Sequence, residues 1–154
     1  MEEINKILKY IVAETLKMNH IHIPDEVMEI NYSAIFCQND FEYEQFNKEA
    51  SQIGNVIENT PTGPLYKLSK PLETLAGLLH LLKIRKPDPI RPERGDADFT
   101  LKDYNTFKEK YSKDIQYFKI IDRRYFEMIE LKDKEFKVLS YFSNIPLTTQ
   151  LNIK

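Results

Sequence analysis

A single cysteine stands among 154 residues, and tryptophan is absent. Cys37 has no second thiol to pair with, so no intramolecular disulfide holds the chain, which fits a reducing compartment. Glycine is scarce, at four residues, and none builds a Gly-rich nucleotide loop. TPTGP (60–64) opens no helix and reads as a β-turn. Serine nucleophile elbows and Cys/His metal knuckles are missing too. No apolar run approaches the roughly 20 residues of a membrane span. The opening MEEINKILKYIVAETLK lacks the basic flank and unbroken apolar stretch of a secretory signal. The expectation is a cytoplasmic protein that does not engage a membrane. A strong charge of either sign is also lacking: the net charge is −2, so no basic field invites nucleic acid.

What is present is the composition of a soluble globular chain, 42% hydrophobic and 30% charged. At this length one domain is expected, over 1–154. Ile4, Ile7, Leu8, Ile11, Val12 and Leu16 fall at helical spacing and predict an amphipathic helix over 2–18. HIHIPDEV then reads as an extended connector or turn. INYSAIFC (30–37) is a strand pattern, rich in aromatic and β-branched residues. Asn39–Asp40 offers a helix cap, and FEYEQFNKEASQIG reads as a helix ending at Gly54. NVIEN and PLYKL predict short strands around TPTG. LAGLLHLLKIR (75–85) mixes helical leucines with a strand-like end, and is read as a strand.

The second half repeats this plan. ADFTL (97–101) starts extended, Lys102–Asp103 offers a cap, and YNTFKEKYSK reads as a helix. FKIID, FEMIEL and KVLSYF follow as three strands. Tyr43-x-x-Phe46 in one helix matches Tyr104-x-x-Phe107 in the other. The reading is an α+β fold with internal duplication. An N-terminal helix precedes two tandem β-α-β-β(-β) modules, about 30–88 and 97–144, in a curved mixed or antiparallel sheet. A charged crossover spans 83–98. The alternative is a ferredoxin-like domain or dimeric α+β barrel.

This order of elements over 30–144, with KIRKPDP (83–89) and FEMIEL, resembles the vicinal oxygen chelate superfamily of glyoxalases and extradiol dioxygenases. The resemblance implies a cup-shaped sheet around a site. Metal-dependent members place His or Glu on the first strand of each module and a Glu near the last strands. INYSAIFC offers no His, ADFTL only Asp98, and the late strands Glu127 or Glu130.

LLKIRKPDPIRPERGDADF (81–99) concentrates five basic residues, four acidic ones and three prolines. Proline fixes φ and biases the preceding residue toward extended backbone, so the segment is expected to be a stiff crossover. Its charges have two readings. Arg85, Arg91 and Arg94 either close ion pairs that pin the crossover or present guanidinium forks to a carboxylate or phosphate. In the second reading Asp96 or Asp98 serves as a base or ligates a cation. Gly95, within Arg94-Gly95-Asp96, reads as turn chemistry.

Glu127, flanked by Phe126 and Met128, is the candidate catalytic carboxyl, and burial would raise its pKa. Glu127 and Glu130 must face opposite sides of a regular strand. His20 and His22 would share a face of an extended segment and are the weak metal candidates. A divalent metal is the one cofactor these residues bring into question, and none is assigned. His80, within LLHLL, reads as a core or interface residue, and Cys37 as a small apolar strand residue. Function divides between a small anionic ligand held in a sheet-lined cup and a non-catalytic interaction module. In the second, the first helix and LAGLLHLL would form an interface, such as a homodimer.

Overall fold

The computed structural model describes residues 2–153. Helix α1 (Glu2–His22) leads into strand β1 (Glu29–Phe36), helix α2 (Asp40–Ile53) and strands β2 (Gly54–Thr60), β3 (Gly63–Thr74) and β4 (Gly77–Arg85). The plan then repeats: β5 (Gly95–Thr100), α3 (Tyr104–Tyr111), β6 (Phe118–Asp122), β7 (Glu127–Leu131) and β8 (Val138–Ser143). A short helix, α4 (Leu147–Gln150), follows.

All eight strands form one mixed sheet in the order β2-β3-β4-β1-β5-β8-β7-β6. Each module therefore has the same internal order. Its first strand lies parallel to its last, β1 with β4 and β5 with β8. The two first strands meet antiparallel at the centre. This is the paired-module arrangement the sequence predicts, and its strand order is not that of the ferredoxin-like alternative.

The helices cover one face. Ile4, Leu8, Ile11, Val12 and Met18 of α1 pack with Phe46 and Ala50 of α2 and Phe107 of α3. Beneath them lie Ile35, Leu82, Ile84, Ala97, Phe99, Ile129 and Phe142, one alternate set from each of five strands. Gly95 is also on this side: a Cβ there would come within 2.5 Å of the Ile11 side chain. The opposite face carries a small apolar cluster, Ala34, Phe36, Leu139 and Tyr141, against Ile121 and Met128.

Several local expectations shift. Helix α1 runs to His22 rather than ending at 18, because its last turns still make core contacts. Met18 is fully buried, the Asn19 carboxamide oxygen accepts from Ser140 Oγ at 2.7 Å, and Ile23 N–H bonds to the Asn19 carbonyl. His20 and His22 are thus helical and do not share a face. Asn39 caps α2 as expected, accepting from Glu42 N–H at 2.8 Å. Helix α2 ends at Gly54 as expected, and Gly54 itself is extended, at φ −167°. It is small because a Cβ would fall 2.5 Å from the Lys67 carbonyl oxygen. LAGLLHLL forms the tip of the β3–β4 hairpin and the start of β4, with Leu75 82% exposed and Leu79 fully buried.

Candidate ligand-binding site

The open face of the sheet is built by alternation and by one bulge. The β1–β5 register shifts between Ile30 and Tyr32, so Ile30 packs in the helix-side core while Tyr32 faces the other way. From there the pairing places Tyr32 opposite Asp98 and Ala34 opposite Asp96. The parallel pairs add Lys83 beside Ala34 and Arg85 beside Phe36, and Leu139 and Tyr141 beside Asp96 and Asp98. Glu130 lies opposite Tyr141, and Met128 opposite Ser143. Laterally paired residues share a face, so these side chains collect on one surface.

Part of this surface encloses a cavity of about 440 Å³, lined by Tyr32, Lys83, Asp98, Met128 and Ser143. Glu58, Thr60, Leu65, Arg123 and Phe126 complete the rim from the outer strands and turns. Leu147, Gln150 and Leu151 close one side. They are held there because Asn31, the bulge residue, donates to Thr148 Oγ1 at 2.7 Å and accepts from Thr148 N–H at 3.2 Å.

Asp96 and Asp98 are buried, at 6% and 3% exposure, and Oδ1 of each has no hydrogen-bond partner among the described residues. The second oxygen of Asp98 accepts a long bond from Ser143 Oγ, 3.4 Å. Burial raises the Asp96 pKa to about 7, against the pull of Arg85 and Lys83. Burial, then the neighbouring Asp96, raises Asp98 well above the carboxylate range. The same burial raises Tyr32, with both aspartates adding to it, and lowers Lys83 against the opposing effect of Asp96. Lys83 is half-buried and makes no hydrogen bond or ion pair among the described residues. Chemically, the cavity offers the buried Asp98 carboxyl, whose ionisation is disfavoured, with Asp96 beside it on the same strand, and an ammonium without a bonded carboxylate.

The residues singled out from sequence separate by face. Arg85 lies on the open face, its guanidinium 4.7 Å over the Phe36 ring and 3.5 Å from Asp88. Arg91 reaches Glu130 at 3.6 Å, and the same carboxylate accepts from the Tyr141 hydroxyl at 2.7 Å. Burial, Asp96 and Glu130 all raise the Tyr141 pKa. Arg94 is elsewhere. It donates to the Phe36 carbonyl at 2.9 Å and pairs with Glu42 at 2.8 Å, tying the end of β1 to α2.

Glu127 takes the side opposite to the one expected. It accepts from the Tyr104 hydroxyl at 2.6 Å and pairs with Lys108 at 2.9 Å, both on α3. Those two bonds lower its pKa and outweigh the desolvation that acts the other way. Glu130, 6% exposed, is the buried carboxylate of this strand.

His20 is exposed on α1. His22 pairs with Asp133 at 2.8 Å and leans on Tyr117, with ring centroids 4.3 Å apart. No group of three or more His, Cys, Asp and Glu side chains is placed to hold a metal among the described residues. On the open face β1 offers Tyr32, Ala34 and Phe36, and β4 brings the Lys83 ammonium toward Asp96. That donor set does not fit the divalent metal the resemblance implies. His80 lines a larger, shallower groove of about 710 Å³ with Met28 and Leu78, and among the described residues no unpartnered buried polar atom lies along it.

Lys83, Tyr32 and Tyr141 were not singled out as site residues from sequence. Lys83 stands two residues from Arg85 on a strand, and that spacing is the signal that joined them.

No family profile matches the chain, and no curated protein matches it. Among the described residues no helix is long and apolar enough to cross a membrane. A solved structure titled "Structural Genomics, Protein EC4020" superposes with a TM-score of 0.70 at 12% identity, covering 92% of this chain and 86% of that one. A glyoxalase/bleomycin resistance protein/dioxygenase superfamily member from Vibrio splendidus 12B01 gives a TM-score of 0.49 at 8% identity, covering 75% of this chain and 97% of that one. The first likeness shows the fold. On its own strand order, the chain has the paired β-α-β-β-β architecture that its resemblance to the vicinal oxygen chelate superfamily implies.

Proposed function

We propose that the cavity on the open face binds a small anionic molecule, with Lys83 as its main electrostatic anchor. One observation carries this reading: an ammonium held half-buried against the cavity with no carboxylate bonded to it. Desolvating a cation is unfavourable unless a counter-charge arrives. Arg123 adds a second cation at the rim, and Arg85 strengthens the positive potential two residues along β4. Arg91 and Arg94 stand outside this role, since each already faces a carboxylate and neither lines the cavity. A cavity of about 440 Å³ suits a small molecule.

Thermal unfolding against a panel of small carboxylates and phosphates tests this. A ligand of the native state present at about 100 times its Kd adds roughly 2.7 kcal/mol. The expected result is a rise in Tm that Lys83→Gln abolishes and Arg94→Gln does not. A flat response across the panel overturns the reading. A flat response with stability that rises with protein concentration would move the assignment to the homodimerisation module.

A further inference from the structure

Resting on that reading, we propose that the ligand is bifunctional: a small zwitterion of the amino-acid type, with its carboxylate at Lys83 and its ammonium at Asp98. Three observations meet here. Asp98 lines the same cavity as Lys83, is 3% exposed, and has an Oδ1 with no partner among the described residues. The Lys83 ammonium and the Asp98 carboxyl do not satisfy each other. They stand on β4 and β5 with β1 between them, two strand spacings apart and offset by two residues along the strand, so their backbones are about 12 Å apart. A ligand of a few heavy atoms fits between the two head groups.

The third observation is the charge around Asp98. The ionisable groups facing it are Asp96 from its own strand, Tyr32 from β1 and Tyr141 from β8, with Lys83, Glu58 and Arg123 farther round the cavity. Among the described residues no cation bonds to it, and its one hydrogen bond is from Ser143. A ligand carrying only negative charge would further favour the protonated forms of Asp96 and Asp98. Such a ligand binds with proton uptake or with no proton change. A ligand ammonium has the opposite effect, because it supplies the missing counter-charge and lets Asp98 ionise. The two ligand classes therefore differ in the sign of the proton count on binding.

Titration calorimetry on the full chain at pH 7, in buffers of differing ionisation enthalpy, reads that sign directly. The probes are acetate and propionate, ethylamine, lactate, and glycine, β-alanine and γ-aminobutyrate. At least one of the three amino acids should bind tenfold or more tightly than propionate, with net proton release. Asp98→Asn should erase that tenfold advantage, so that no amino acid binds more tightly than propionate. Lys83→Gln should weaken both. Propionate binding as tightly as every amino acid, with proton uptake and no effect of Asp98→Asn, overturns the zwitterion while the anion site stands. Lactate matching the best amino acid overturns the ammonium assignment. If no probe binds and the broader anion panel is also flat, both readings fall together. The wild-type comparison needs no variant, so the test survives a poorly folding Asp98→Asn.

Discussion

Phe46 and Phe107 are the large buried residues of α2 and α3, and each follows a half-buried tyrosine by three positions. Their surroundings differ. Phe107 sits in an aromatic nest, 4.8 Å from the Phe142 ring, 4.9 Å from Tyr111 and 6.3 Å from Phe118. Phe46 has no such nest and lies under the Arg94 guanidinium at 5.7 Å. The open face divides in the same way. The first module contributes Tyr32, Lys83 and Arg85, and the second contributes Asp96, Asp98 and Glu130. On the inner strands the two modules thus repeat a backbone and split its chemistry, β4 bringing cations and β5 and β7 acids. A site on a pseudo-symmetric scaffold that is charged this way suits an asymmetric ligand.

The sharpest way to break the comparison is in the core. Phe107→Ala removes a large buried side chain together with its ring contacts. The expected loss is about 3–5 kcal/mol, with ring pairing supplying roughly 0.5–1.5 kcal/mol of it. Phe46→Ala loses the burial without the nest, so its cost should be smaller by about 1 kcal/mol. Urea unfolding of both variants checks this. Equal losses would mean the aromatic nest adds nothing beyond buried area.

The next prediction concerns Asp96, whose cross-strand neighbour in the first module is the uncharged Ala34. Its folded pKa, about 7, lies above the ordinary 3.8. Between those values the unfolded chain has lost the proton and the folded chain still holds it. Stability from this group is therefore full at acid pH and falls as pH rises through about 7. Asp96→Asn cannot ionise, so it should flatten that fall and raise stability at pH 8 by about 1–3 kcal/mol. Denaturant midpoints from pH 4 to pH 8 test the sign. A variant that is less stable than wild type at pH 8 would show the ionised carboxylate to be well solvated.

A smaller effect tests whether α2 depends on its local start. Asn39 accepts from Glu42 N–H, while Glu42 itself accepts from the Gln38 amide at 2.9 Å. Asn39→Ala should cost about 1 kcal/mol. Asn39→Asp should recover most of it, since a carboxylate accepts the same bond and favours the helix N-terminus. Unfolding midpoints of the pair measure this, and no rescue by Asp would place the loss outside the cap.

How much of this was legible depended on whether a signal was local. The alternation in INYSAIFC, the caps at Asn39 and Asp103 and the two three-strand runs are short-range patterns, and the order of elements followed from them. Faces were harder to read. Glu127 and Glu130 had to oppose each other, but which of them met the cup was set by β7–β8 pairing, with Glu130 opposite Tyr141. LLHLLKIR is apolar at both parities until Lys83, so nothing local said that Leu82 and Ile84 face the helices. Arg94 and Asp96 are separated only by Gly95, yet Arg94 leaves the cup to bind Glu42 while Asp96 stays in it. The end of α1 was missed because the Asn19 bond to Ser140 spans 121 residues. In this molecule the tertiary register made the site out of residues whose separate roles were undecided.

Cys37 gives the smallest expected effect and one further contrast between buried groups. It follows β1 directly, is 3% exposed, and packs in the helix-side core. Burial and the nearby Glu42 push its thiol up to about 12, although Arg94 opposes them. The thiolate is the reactive form, so native protein at pH 8 should resist alkylation by iodoacetamide while urea-unfolded protein reacts at the rate of a free cysteine. Arg94→Gln removes the one opposing cation and should slow the native reaction further if electrostatics governs it. If Arg94→Gln instead speeds labelling, the Arg94–Glu42 pair protects Cys37 by holding α2 against β1, and access rather than thiolate supply sets the rate.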